Sequence, residues 1–249
     1  MQKTILLAVL IGLASGLLAG VYHNVFTVPV IEQAIVLEEE RAIAELPSGQ
    51  QPVEEPPLVS LGMQRIGMAI GTALYGAVLG LVFAGAYSML RWMMQERNRM
   101  LLAFAAALIG FWAISLLPFL KYPLVPPGVG DEGTLVVRQG VQTLFFIISA
   151  GAVVALLLAY KDIRTSSMSA GMRQLVIGAS VAVYAVFMAL LFVFLPSNPD
   201  PVPVPDGLLF NFRALTLVGQ LLTWVFIAIG FAYYLKRSEK RREYSTRHG

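Results

Sequence analysis

The chain has 249 residues, 57% of them hydrophobic and only 13% charged, with a mean hydropathy of +0.71. That charge fraction is about half of what soluble domains carry, so the chain reads as an all-α integral membrane protein. With no Cys and only His23 and His248, disulfides and thiolate metal sites are excluded, and the net charge of +3 matters less than where the charges fall.

Six apolar segments of roughly 20 residues or more are long enough to span a membrane. They are expected at about 4–25, 66–90, 100–120, 139–160, 173–195 and 214–235, in a single membrane domain covering 1–249. The first also has the shape of a signal peptide, with Lys3 ahead of it and Ala19-Gly20 near a cleavage-like site. Its length, and the ladder Gly12, Gly16, Gly20 suited to close helix packing, favour a retained span.

The outer loop 26–64 is the longest connection. Pro29 suits a helix start, and Ile31, Ala34, Ile35, Ala42 and Ile43 give an apolar face opposite Glu32, Glu38 and Glu39. A short amphipathic helix at the outer surface is expected, ended by Pro47 and followed by an extended return through Pro52, Pro56 and Pro57. The second span carries Gly67, Gly71 and Gly85 on one side and Gly76 and Gly80 on the other, which predicts close neighbours on both sides and a place in the middle of the bundle.

The second, fourth and sixth spans each begin near an Arg from which polar residues run inward at helical spacing. These are Arg65, Met68, Thr72 and Tyr75; then Arg138, Gln142 and Ser149; then Arg213, Thr216, Gln220 and Thr223. Polar groups at membrane depth must face protein or water, so the stripes either line one polar path or tie helices together. Asp131 and Asp206 each stand seven residues before an Arg, with Gly133 and Gly207 close behind, hinting at a repeated hairpin with an Asp–Arg latch.

Lys3, the Arg91–Arg99 and Lys161–Arg173 stretches and the tail 236–249 hold most of the basic charge. The remaining segments hold most of the acids. The positive-inside rule then places both termini in the cytoplasm of a cell whose inner (plasma) membrane the chain crosses. An acidic outer face attracts cations. No phosphate-binding loop, no His-Glu-x-x-His and no hydrolase constellation is present, so an enzyme is not expected.

The loop after the third span is the most distinctive stretch: Lys121-Tyr122-Pro123, then Pro126-Pro127-Gly128-Val129-Gly130-Asp131. Its prolines end the helix and shape a rigid connection. Together with Ile31-Glu32-Gln33-Ala34-Ile35, Gly62-Met63-Gln64-Arg65, Phe212-Arg213, Gly219-Gln220 and Trp224, this loop resembles the pattern of the CbtA family. The resemblance implies a cobalt transporter subunit that accompanies a small one-helix, His-bearing partner, CbtB. Cobalt would be its substrate, not a permanent cofactor. Glu32, Glu38, Lys121, Tyr122, Asp131, Asp206, Arg213 and Gln220 are the residues expected on the ion path, with Lys121 and Arg213 pairing carboxylates. The competing reading is a non-transporting membrane scaffold that organises a partner, in which the same charges are structural latches.

Overall fold

The computed structural model describes residues 2–44, 60–94, 98–127, 132–198, 200 and 202–248. Among them every regular element is helical. Helix α1 (Gln2–Tyr22) runs through a π-helical segment (His23–Thr27) into α2 (Val28–Ala44). Helix α3 covers Leu61–Met93. Helix α4 (Arg99–Gly110) passes through a second π-segment (Phe111–Leu116) into the short α5 (Leu117–Lys121). A 3-10 turn at Glu132–Thr134 leads into α6 (Leu135–Thr165), which is followed by α7 (Ala170–Phe194) and α8 (Asp206–His248). Counted through their π-segments, six helices are long and apolar enough to cross a membrane.

The amphipathic stretch after the first span is no separate helix. It continues the first one, from Gln2 to Arg41 without a break. Both π-segments end two residues before a proline, Pro29 and Pro118. Proline lacks the N–H that the carbonyl four residues earlier needs, and its ring crowds that carbonyl. Widening the turn just upstream lets a later N–H take up the freed carbonyl, so the helix passes through where an α-helix would kink or end.

Side-chain caps start three of the helices: Ser60 Oγ accepts from the Met63 N–H, Asn98 Oδ1 from the Leu101 N–H and Ser169 Oγ from the Met172 N–H. The core is built by α1, α3, α4 and α8. Leu79, Phe83, Tyr87, Leu102, Ala106, Trp224, Ile227 and Phe231 are all buried there. Gly12 and Gly16 of α1 lie against the backbone of Gly76 and Gly80 of α3, so closely that a Cβ at any of the four would strike the facing helix. Helix association in lipid gains from such close backbone approach.

The other glycine face of α3 departs from expectation. Gly67, Gly71 and Gly85 have nothing within 4 Å beyond their own helix, so α3 closes on α1 on one side and lies open on the other. Helices α6 and α7 flank the core. They are joined to it through a small cluster of Leu117, Phe145 and Met188.

The run of contacts fixes which ends of the spans lie together. Ile11 sits against Gly230 and His23 against Gly219, so α1 and α8 are antiparallel and both described termini lie at one end of the bundle. The connections around Lys121, Thr134 and Pro196 gather at the other, hereafter the loop end.

Candidate functional site

At the loop end, a set of polar contacts ties the connections together. Lys121, the last residue of α5, donates from Nζ to the carbonyls of Phe192 and Leu195 at 2.8 Å each. These carbonyls end α7, where the helix leaves its last acceptors unpaired and its dipole favours a cation. Lys121 Nζ also stands 5.5 Å from the centre of the Tyr122 ring. Tyr122 packs edge-on against Phe145 and donates its hydroxyl to the Pro196 carbonyl at 2.9 Å. Burial pushes the Tyr122 phenol above its ordinary pKa, which keeps it a donor.

Arg138 pairs with Asp200 at 3.1 Å, and Thr134 donates to the same carboxylate at 2.8–2.9 Å. The Asp200 side chain is 4% exposed, so its charge is held by these partners rather than by water. Arg213 Nε donates to the Leu124 carbonyl at 3.1 Å. Glu32 meets Arg65 at 2.8 Å, with the two side chains 36% and 50% exposed. An exposed pair of that kind contributes up to about 1 kcal/mol. Breaking a nearly buried pair such as Arg138–Asp200 costs about 3–5 kcal/mol. The second is therefore the contact that fixes the loop end.

The predicted site residues are distributed rather than gathered. Lys121 and Arg213 bind backbone carbonyls, not carboxylates, because helix ends and loop peptides present acceptors where those side chains arrive. Glu38 is exposed on α2 and Asp206 is exposed at the start of α8. Gln220 is half-buried on α8, next to Gly219, on which the His23 ring lies. Asp131 lies outside the described residues. Tyr122, Leu124, Arg138, Gln142, Pro196 and Asn198 line a cavity of about 230 Å³ between the loops.

Deeper in the bundle, the π-segment Phe111–Leu116 collects contacts from four other spans. Ser149 of α6, fully buried, donates to the Ala113 carbonyl at 2.9 Å. Trp224 of α8 donates to Ser115 Oγ at 2.9 Å, and the Tyr75 phenol of α3 is a polar neighbour of Ser115. Trp112 donates to Tyr184 of α7, also at 2.9 Å. The Trp224 ring occupies the space left free at Gly110, just ahead of the segment.

Two of the three polar stripes seen in the sequence reach this segment, through Tyr75 and Ser149; the sixth span reaches it through Trp224, which lies outside its stripe. The other hydroxyls of the stripes are spent locally. Thr72, Thr216 and Thr223 each donate to a carbonyl one turn back in their own helix. The first π-segment is tied in similar fashion: His23 bonds Thr27 Oγ1 at 2.9 Å, and its ring lies on Gly219 of α8.

Sequence reasoning passed over Asp200 and Ser115. A signal existed for each: Asp200 is flanked by Pro199 and Pro201, and Ser115 lies three residues before a proline inside an apolar span.

A family model described as "Probable cobalt transporter subunit (CbtA)" matches residues 1–236. The chain belongs to the CbtA family. The match runs from the first spanning helix into the sixth and takes in both π-segments and the loop-end contacts. No curated protein and no solved structure matches the chain. Among the described residues no group of three or more His, Asp or Glu is placed to hold a metal ion.

Proposed function

We propose that this chain is the membrane passage of a transporter for cobalt or a related divalent metal, working with a small His-bearing partner of the CbtB kind that captures the ion. The observation that carries the proposal is the π-segment Phe111–Leu116, to which three other spans bond at membrane depth while Tyr75 of a fourth lies beside it. In secondary transporters, irregular helix turns at that depth present carbonyl oxygens to cations. A path needs such weak, repeated ligands, because an ion held too tightly does not leave. Strong imidazole capture then belongs to the partner, and Co²⁺ accepts both nitrogen and oxygen ligands.

Glu32, Glu38, Asp131 and Asp206 supply negative potential at the entry. Lys121, Tyr122 and Arg213 hold the loops in place, and Gln220 stands beside the His23 contact on α8. In this reading the loop end faces outward from the inner membrane, and both termini are cytoplasmic.

Cobalt uptake by cells producing the chain, with and without the partner, tests this directly. Uptake that requires the partner and is lost in Asp131→Asn or Lys121→Ala, at equal membrane abundance, supports the passage.

A second reading has its own observation. Lys121, Arg138 and Arg213 are all bonded into the loops, as in a scaffold whose charges are latches. Absence of flux in vesicles holding the chain and its partner as a stable complex would favour that scaffold.

A further inference from the structure

The end of the bundle that carries the termini has a polar arrangement that the loop-end chemistry does not use. Tyr87, on the last turns of α3, is 1% exposed. Its ring stacks on Phe83 and meets Phe231 edge-on with 4.7 Å between centroids, and Leu90 and Leu235 are buried alongside. The phenol is therefore fixed by packing on three sides. Its hydroxyl meets the geometric criteria for a hydrogen bond with no described residue, and the Arg91 guanidinium, the group that acts on it as a hydrogen-bonding neighbour, can only donate, so its proton has no acceptor there. A buried hydroxyl normally finds one, since losing water without replacing its bonds is unfavourable.

The groups facing this hydroxyl are mostly cations. Arg91, one turn on, holds its guanidinium carbon 5.9 Å from the Tyr87 ring centroid. Arg99, the first residue of α4, and Glu239 of α8 also act electrostatically on the hydroxyl. The start of α4 adds the positive end of a helix dipole. Close by, Trp92 is 64% exposed, and Lys161 of α6 holds its ammonium 3.3 Å from the centre of the Trp92 ring. An exposed Trp beside a Lys is the usual furnishing of the boundary between lipid and water.

We propose that Tyr87, Arg91 and Arg99 form a binding site for a phosphate-type oxyanion, with the Tyr87 hydroxyl donating to one oxygen and the two guanidinium groups balancing its charge. Two sources share this chemistry: the phosphodiester of an anionic lipid headgroup, and free phosphate from the aqueous side. The site is independent of what the chain transports. It would fasten the junction of α3, α4 and α8, three of the four helices that supply the core.

The test uses the full-length chain purified in an uncharged detergent and native mass spectrometry to count bound molecules. The probes are dioctanoyl phosphatidylglycerol, dioctanoylglycerol (the same tails without phosphate) and inorganic phosphate. Phosphatidylglycerol is expected to bind and dioctanoylglycerol not. Arg91→Gln and Arg99→Gln should each weaken binding about tenfold, the scale of one charge-assisted hydrogen bond. Tyr87→Phe, which keeps the packing, should weaken it by a smaller factor. Glu239→Gln should tighten binding, because it removes the carboxylate that opposes the anion. Arg164→Gln, an exposed Arg bonded to Tyr160 instead, should change nothing.

Inorganic phosphate binding with the same dependence on Arg91, Arg99 and Tyr87 would also support the site and assign its ligand to the aqueous side. Equal loss in Arg164→Gln and Arg99→Gln would overturn the proposal, since general basicity would then explain the binding. So would affinities that Tyr87→Phe, Arg91→Gln and Arg99→Gln all leave unchanged in protein that still melts cooperatively.

Discussion

At the scale of single residues, burial decides which polar contacts matter. Asp200 is nearly sealed from solvent between Arg138 and Thr134, whereas Glu32 and Arg65 meet in the open. Replacing Asp200 by Ala leaves a desolvated guanidinium without its carboxylate and is expected to cost about 3–5 kcal/mol. Replacing Glu32 by Gln should cost under about 1 kcal/mol. Chemical denaturation of the two variants in the same detergent checks the contrast, and equal losses would refute the ranking.

Tyr122 gives a pH dependence with a definite sign. Its folded pKa is raised by burial, so the folded chain favours the protonated phenol. The stability it contributes is complete below the ordinary Tyr value of about 10 and is lost as pH rises through the higher folded value. Tyr122→Phe should flatten the alkaline limb of a stability–pH curve relative to the parent chain. Asp200 was illegible in the sequence for a physical reason. Its partner Arg138 is 62 residues away, and only the packing of α7 beside α6 brings the two loops together. The sequence paired Arg138 with the nearer Asp131 instead.

At the scale of elements, glycine and proline do most of the arranging. The Gly12–Gly16–Gly20 ladder was read as a packing face, and its partner is the Gly76–Gly80 face of α3, with Thr72 beside Gly20. A Cβ at Gly76 meets the backbone of α1, which cannot give way, while one at Gly71 meets open space. Gly76→Val is expected to separate the two helices and lower the melting temperature clearly. Gly71→Ala should be neutral or stabilise by up to about 1 kcal/mol, through the higher helix propensity of Ala. Thermal melts of both variants distinguish the two faces of the helix.

Each π-segment is the consequence of a proline, and this was not read from sequence. A π-turn has no residue signature of its own, and Pro29 looked like a helix start. Pro118→Ala should let the second segment relax toward α-helical bonding. That would shift Ser115 and Ala113 relative to Trp224 and Ser149. The expected outcome is a changed Trp emission spectrum, with metal uptake falling more than membrane abundance.

At the scale of the whole molecule, the chain is a four-helix core of α1, α3, α4 and α8 with α6 and α7 attached at one side. Both described termini share an end, and the basic residues Arg91, Arg99, Lys161 and Lys236 gather there as well. Reporter fusions check the orientation proposed for this arrangement. Alkaline phosphatase placed after residue 240 should be inactive, and placed after residue 44 it should be active. The reverse pattern would turn the molecule over and put the loop end in the cytoplasm.

The sequence by itself determined the solvent the chain lives in, the number of helices long enough to cross it, and the family. Those depend on composition, on unbroken apolar length and on short local motifs, all of which are properties of neighbouring residues. It also located the polar stripes, because helical periodicity is local. Only the tertiary structure decided where those stripes lead. The stripe residues Tyr75 and Ser149 reach Phe111–Leu116, and Trp224, outside the stripe of its own span, joins them there, because a proline widens that turn and the packing of α3, α6 and α8 brings them to it. The same holds for the charges. Whether Lys121, Arg138 and Arg213 face carboxylates or carbonyls depends on which loops end beside them, and that is fixed by helix packing, not by spacing along the chain.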